Sequence, residues 1–479
     1  MNRSIRRLYL VLAGGFGLLM LMLGWWQVVA AEDLKDRPGN SQTIQAERLI
    51  DRGRILSADG KILAASRARR IKGQRVYQRL YPQGSLAAHV VGYTSEDAGK
   101  TGTESTYNRY LSGSFGTEPL LQRLNLKEKR GADVHLSIDS RVQEVAEAGL
   151  AGKRGAVVAI DPSTGQVLAM ASSPAFDLQD AVSEFDAIPK DGSPFVDRAT
   201  AGLYPPGSTF KVVTATAALE SGEFTPSSTF DDTGSYATPG GPIRNFGNDT
   251  FGEHNLTTAL TNSINTTFAR IGDEVGAEVL GATMDAYGFG KRPPIDLPAD
   301  EVLVSGRREG GTVLPNGQEG MDVARVAIGQ ERLTVTPLQM AMVASAIANG
   351  GRLMAPRVMS RIVDRGGSVV QTSKPQELDE VMSATTAADL AGMMENVVRE
   401  GTGTAAALSS AGVTVAGKTG TAESDDANRN QAWFIGFAPA EDPVVAVAVV
   451  IEDTPSEGGT VAAPIAAQVM RAAVEAARP

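Results

Sequence analysis

The sequence predicts an α/β protein in which one antiparallel sheet, built from strands near both ends of a large C-terminal unit, is flanked by helices. A β-rich N-terminal unit and a single membrane-spanning helix precede it. Three observations predict this arrangement. An apolar run opens the chain, short strand-and-turn patterns fill residues 32–150, and beyond residue 150 buried-strand patterns bracket a stretch of helical ones. A chain of 479 residues exceeds one typical core, so two or three domains are expected. The boundaries read as 1–31 for a tip and anchor, 32–150 for a non-catalytic unit, and 151–479 for the unit that carries chemistry.

The anchor is the first element. Leu8 to Ala31 is apolar apart from Gln27; Arg3, Arg6 and Arg7 precede it, and Glu32 and Asp33 follow. About 20 apolar residues suffice for a helix to cross the hydrocarbon core. Arginines on the short side predict an inner N-terminus and an outer remainder, with Trp25 and Trp26 at the outer interface. The small residues Val29-Ala30-Ala31 also suit signal cleavage. Signal cores run only about 7–15 residues, however, so an uncleaved single-pass anchor in the cell membrane is preferred.

Next, Arg52 to Leu56 and Ile62 to Ala64 read as a hairpin turning on Asp59-Gly60. Asp139 or Ser140 can cap a helix with Val142, Val145, Ala146 and Leu150 on one face. Gly155 to Ile160 reads as a buried strand, Asp161 to Gly165 as a turn, and Val167 to Ala171 as the returning strand. Near the C-terminus, Val413 to Gly417, Ala432 to Phe437 and Val444 to Ile451 are strand-like, and Ala462 to Ala477 is helical. Between the ends, Phe210 to Leu219 is a buried-helix pattern. Leu390, Met393, Met394, Val397 and Val398 follow helical spacing up to Gly401.

Composition removes several classes of function. A net charge of −10 disfavours nucleic acid, whose phosphates need a basic face. There is no cysteine, hence no disulfide, thiolate nucleophile or cysteine-held zinc. His89, His135 and His254 are scattered singly, so neither a catalytic metal nor any cofactor is expected, and each reads as structural or surface.

Three short motifs carry chemistry. Ser208 and Lys211 open the buried helix after Pro205-Pro206-Gly207. At i and i+3 they share a helical face, and the unpaired N–H groups of a helix start can hold an oxyanion. A serine needs a base, and a lysine kept neutral by desolvation or a second cation can serve. The ordinary reading of Ser-x-x-Lys is a cap and a surface lysine, but Lys211 stands among Phe210, Val212 and Val213, a poor place for a solvated charge. Ser263 and Asn265 flank Ile264, and from a loop both can face a cleft. Lys418-Thr419-Gly420-Thr421 follows a strand pattern; on an edge strand it offers a cation, two hydroxyls and close backbone approach.

Two decoys surround that last motif. Gly412 to Thr419 matches the P-loop pattern letter for letter, yet its middle positions are strand-forming and no helix start follows Thr419. Lys100-Thr101-Gly102-Thr103 repeats the letters in the polar N-terminal half and reads as a loop.

Ser-x-x-Lys, Ser-x-Asn and Lys-Thr-Gly in this order are a known signature of penicillin-binding proteins and, in the Ser-Asp-Asn form, of class A β-lactamases. The sequence resembles class B penicillin-binding proteins over nearly its whole length. Tyr204 to Gly207, Gly155 to Pro174, Ile328-Gly329-Gln330, Thr336-Pro337-Leu338 and Ala432 to Pro439 add to the likeness. So do Arg52-Gly53-x-Ile55 and Gly102-Thr103-Glu104 in a pedestal domain. Gln431 stands where relatives often carry histidine, and no role is assigned to it.

The resemblance implies a transpeptidase fold with a helical subdomain and a D,D-transpeptidase that cross-links peptidoglycan stem peptides and is blocked by β-lactams. It implies that Ser208 attacks the D-Ala-D-Ala carbonyl, Lys211 is the base, and Ser263 and Lys418 relay the proton. Asn265 then holds the substrate amide, and Thr419, Gly420 and Thr421 bind near the terminal carboxylate. The backbone N–H groups of Ser208 and Thr421 form the oxyanion hole. The rival readings are a D-Ala-D-Ala carboxypeptidase, a β-lactamase and an inactive wall scaffold. A glycosyltransferase would need a long further segment before residue 150, so glycan-polymerising and division proteins are expected partners.

Overall fold

The computed structural model describes residues 3–29, 48–71, 73–95, 98–115, 130–318, 320–422 and 429–478. Its central sheet has five antiparallel strands in the order Ala416–Ala422, Asn430–Ala438, Val445–Thr454, Gly155–Ile160 and Val167–Ser173. The two ends of the C-terminal unit therefore pair side by side. Every residue of Gly155–Ile160 is buried, because the sheet is covered on both faces. Alternation along that strand sends Val157 and Ala159 toward the helices Ser140–Gly149 and Gly458–Ala477. Ala156, Val158 and Ile160 point the other way, into the larger core that contains Met340 and Val343 of helix Pro337–Ala348. That helix is apolar all round and almost wholly buried, as an unsided helix must be.

Several expectations need correction. The strand expected over Val413 to Gly417 runs instead over Ala416–Ala422, and Val413 makes only an isolated bridge to Leu408. Lys418 to Thr421 does lie on an edge strand, as expected, and its residues are nearly all buried because the turn around Ser208 packs on it. The P-loop match is a decoy, as expected, since Lys418 pairs with Ile435 and Thr419 with Phe434 in an antiparallel ladder. Lys100 to Thr103 is not a loop: Gly99–Lys100 is a short strand and Gly102–Thr106 a helical turn.

The N-terminal unit contains the expected hairpin, Ile55 pairing with Ala64 and Leu56 with Ile62 around Gly60 at φ +85°. Its sheet has six strands in the order Val369–Thr372, Met359–Val363, Asp133–Leu136, Ile55–Leu56, Ile62–Ile71 and Gln74–Leu80. Two of these come from beyond residue 350, so the sheet runs across the boundary drawn at residue 150. Asp139 caps helix Ser140–Gly149, accepting from the Arg141 N–H at 2.9 Å. At the N-terminus, helix Arg3–Gly24 continues into a π turn at Trp25–Val29. Residues Arg3–Gln27 are long and apolar enough to cross a membrane.

The pedestal turns on Glu104. Its Oε2 takes the Arg52 Nε–H at 2.7 Å and its Oε1 the Arg79 Nε–H at 2.6 Å, all three side chains being buried. Arg52 also donates to the Glu104 carbonyl and to Asn108 Oδ1. Burial pushes the Glu104 carboxyl up, but Arg79 and Arg52 outweigh it and hold it below the ordinary value. Removing one partner strands the other buried charges. Glu104→Ala is therefore expected to destabilise the fold by about 3–5 kcal/mol. A thermal melt checks this: an unchanged Tm would show that the two guanidiniums find water instead.

Candidate active site

The nucleophile turn is built by glycine and by a change of helix type. Gly207, at φ +51°, starts a 3-10 turn over Gly207–Phe210 that passes into α-helix Lys211–Glu220. A 3-10 turn has about three residues per turn, so Ser208 and Lys211 eclipse each other and the lysine lies beneath the serine. The strand Ala416–Ala422 packs directly on this turn. A Cβ on Gly207 would stand 2.9 Å from the Thr421 carbonyl oxygen, and one on Gly420 would stand 2.9 Å from that of Pro206. Glycine at both positions is what permits the approach. Behind the turn, Gly207 N–H donates to Gly329 O at 3.2 Å, and Trp433 Nε1–H donates to Pro205 O at 2.9 Å.

Ser263 sits between helices Leu256–Thr261 and Asn265–Ala286 with φ +59°, an uncommon conformation for a residue with a side chain. That bend aims both its carbonyl and its hydroxyl at Lys211. The Lys211 Nζ lies 2.6 Å from Ser263 O, 2.7 Å from Asn265 Oδ1 and 3.2 Å from Ser263 Oγ. From the far side Lys418 Nζ reaches Ser263 Oγ at 2.9 Å and Thr419 O at 2.9 Å. One hydroxyl thus bridges two fully buried amines. Asn265 is the first residue of its helix rather than a loop residue, which corrects the expectation. Its Nδ2 donates to Arg244 O at 3.0 Å.

The electrostatics favour a neutral base. Burial, and then the charge of Lys418, push the Lys211 amine well below the ordinary lysine value. Burial alone pushes Lys418 down to about 7. A neutral amine has two N–H groups, matched here by Ser263 O and Asn265 Oδ1, which leaves its lone pair for an incoming proton. Once protonated, it finds the face of Phe268, 5.6 Å from Nζ to the ring centroid.

Ser208, Ser263, Asn265, Thr419, Gly420 and Thr421 all line one cleft of about 730 Å³, with Lys211 and Lys418 buried at its floor. Thr419 Oγ1 is 2.5 Å from Thr402 Oγ1, and Thr421 Oγ1 accepts from the Gly458 N–H at 3.3 Å. All eight residues singled out in the sequence are therefore brought together.

Sequence reasoning missed the opposite wall, which includes Arg244, Asn245 and Phe246. A buried network fixes that wall. Asp232 Oδ2 takes the Asn245 Nδ2–H at 2.8 Å, Asp232 Oδ1 takes the Thr266 hydroxyl at 2.6 Å, and Asn245 Oδ1 takes the Thr266 N–H at 3.1 Å. No spacing rule would find it, since these residues read as turn formers. Gln431 stands opposite Ala422 and donates from Nε2 to Arg429 O at 3.2 Å.

Comparison with known proteins bears on the same geometry. The family described as penicillin binding protein transpeptidase domain matches residues 155–471, and the penicillin binding protein A dimerisation domain matches 52–134. This chain belongs to the penicillin-binding transpeptidases. Among relatives of this penicillin-binding protein, the peptidoglycan D,D-transpeptidase PbpA of Mycolicibacterium smegmatis is 35% identical, with 99% of each chain covered. Its counterpart from Mycobacterium tuberculosis is 32% identical over the same shares. Among solved structures, a penicillin G acyl-enzyme complex of penicillin-binding protein A from M. tuberculosis has a TM-score of 0.77 and 30% identity. It covers 88% of this chain and 99% of that one. A D,D-transpeptidase domain from Eggerthella lenta has a TM-score of 0.78 at 37% identity, covering 89% and 99%. One apolar N-terminal helix fits a membrane anchor for this family member.

Proposed function

We propose that this chain is a penicillin-sensitive peptidoglycan D,D-transpeptidase in which Ser208 carries the acyl group. The observation that carries the residue roles is the Ser263 hydroxyl held between Lys211 and Lys418 at the foot of the Ser208 turn. Ser208 Oγ attacks the carbonyl of the penultimate D-alanine, and its proton passes to the free lone pair of Lys211. The carbonyl oxygen, now negative, is met by the N–H groups of Ser208 and Thr421. The C–N bond then breaks. The departing D-alanine amine takes a proton delivered through Ser263, which Lys418 and Lys211 can each replenish. A stem-peptide amine next attacks the ester, loses its proton to the same relay, and expels Ser208 as a new amide forms. A β-lactam forms the same ester, but its opened ring stays attached.

The Thr419 and Thr421 hydroxyls hold the terminal carboxylate in this reading, which their position two residues apart on one strand face supports. Asn265 has a second role beyond holding the substrate amide, since its Oδ1 occupies one N–H of Lys211. The apolar N-terminal helix and the arginines before it support a catalytic unit on the outer side of the membrane. There it would work beside glycan-polymerising and division proteins.

Product analysis tests the reading. The full-length chain is given a stem pentapeptide donor with increasing amounts of an acceptor amine, and products are resolved by mass spectrometry. An acceptor-dependent cross-linked product is expected. Only trimmed tetrapeptide at every acceptor concentration would make the protein a carboxypeptidase instead.

A further inference from the structure

Away from the cleft, one feature contradicts the acidic character of the chain. Between Lys61 and Ser95 there are seven lysines and arginines and no aspartate or glutamate, in a protein of net charge −10. The run folds into the hairpin Ile62–Ile71 and Gln74–Leu80, whose paired rungs extend from Ala65 and Leu80 out to Ile71 and Gln74. Six steps at about 3.3 Å make this a projection of roughly 20 Å. Arg67, Arg69 and Arg70 are exposed, and among the described residues none of the three has an ion-pair partner. Arg67 and Arg69 lie on one face of the ribbon and Arg70 on the other, so the charge surrounds the tip. The tip also presents Ile71, 54% exposed. Cations on both faces with an apolar end suit an end-on approach to a surface rather than a partner lying along one face.

The chain's own path says which surface is nearest. Eighteen residues separate Val29, where the anchor's last turn ends, from Arg48. The Arg48 carbonyl accepts the N–H of Tyr77, on the hairpin, at 2.7 Å. The hairpin therefore stands where the chain arrives from the membrane, within a contour of about 60 Å.

We propose that this arginine hairpin docks end-on against the anionic phospholipid headgroups of the membrane that the chain's own helix spans. Together with the helix it makes a second point of attachment, which sets the tilt of the pedestal and so the height of the cleft. The inference rests on the anchor and not on the chemistry at Ser208.

Because the chain has no cysteine, Gln74→Cys accepts a single environment-sensitive fluorophore at the tip. The labelled full-length protein is reconstituted in nanodiscs of phosphatidylcholine, with or without phosphatidylglycerol, carrying a headgroup-attached quencher. Quenching is expected in the anionic discs only, and about 1 M salt should reverse it because screening then acts within about 3 Å. Each arginine replaced by glutamine should weaken docking about fivefold. Arg67→Gln, Arg69→Gln and Arg70→Gln together should abolish the quenching while labelling by fluorescent penicillin, which reports folding, stays intact. Equal quenching in both lipids, none in either, or quenching that survives the triple variant would overturn the proposal. So would full competition by inorganic phosphate at concentrations too low to screen charge, which would make a free phosphate the ligand.

Discussion

Ser208→Ala is expected to erase the fluorescent band that the full-length protein gives after incubation with a labelled penicillin. Ser208 lies at the start of the 3-10 turn, lines the cleft, and precedes the buried Lys211 by one turn. No neighbour can replace it. Ser263 is occupied by two lysines, and the Thr419 hydroxyl is engaged by Thr402. Loss of a serine nucleophile costs on the order of 10⁶-fold in comparable hydrolases, which on a gel is complete disappearance. A stable adduct on the wild type that vanishes in the variant excludes a dead scaffold and a β-lactamase together. A band that persists in Ser208→Ala would place the acyl group elsewhere.

The second large effect belongs to the lysine pair. Lys211→Met should slow acylation by about 10²–10⁴-fold, the range for a positioned general base, without moving Ser208. Stopped-flow acylation with a chromogenic cephalosporin measures it, and an unchanged rate would assign the base elsewhere. Lys418→Gln has a different signature. Acylation requires neutral Lys211, so the rate climbs with pH through the Lys211 titration. Below about pH 7 Lys418 is charged, and that charge helps keep a second one off Lys211. Removing it raises the Lys211 value, so the rising limb should move toward alkaline pH. A limb that stays in place would leave burial as the whole cause of the depressed Lys211 value.

The pedestal shows how much sequence pattern can carry and where it misleads. Asp59-Gly60 marked a hairpin, and Asp139 a helix start, because turn and cap chemistry is local and depends on neighbouring residues. Lys100 to Thr103 was misread as a loop. Its partners are not local: Gly102 N–H donates to the Glu301 carboxylate, 199 residues away, and the Thr103 hydroxyl to Val90 O, 13 residues away.

The catalytic unit divides in the same way. Sequence alone determined the identity of the motifs, most of the strands near the two ends of that unit, the apolar helix at the chain's N-terminus and the absence of thiol chemistry, all readable from short windows or composition. Only the tertiary structure decided that Lys418, more than 150 residues from Ser263, shares its hydroxyl with Lys211, and that Asn265 starts a helix. It alone decided that an Asp232, Asn245 and Thr266 network holds the far wall, and that strands beyond residue 350 complete the pedestal sheet. The physical reason is one of range. Turn chemistry and side-chain periodicity act over a few residues, whereas the depression of a lysine pKa depends on desolvation and on charges assembled from distant segments.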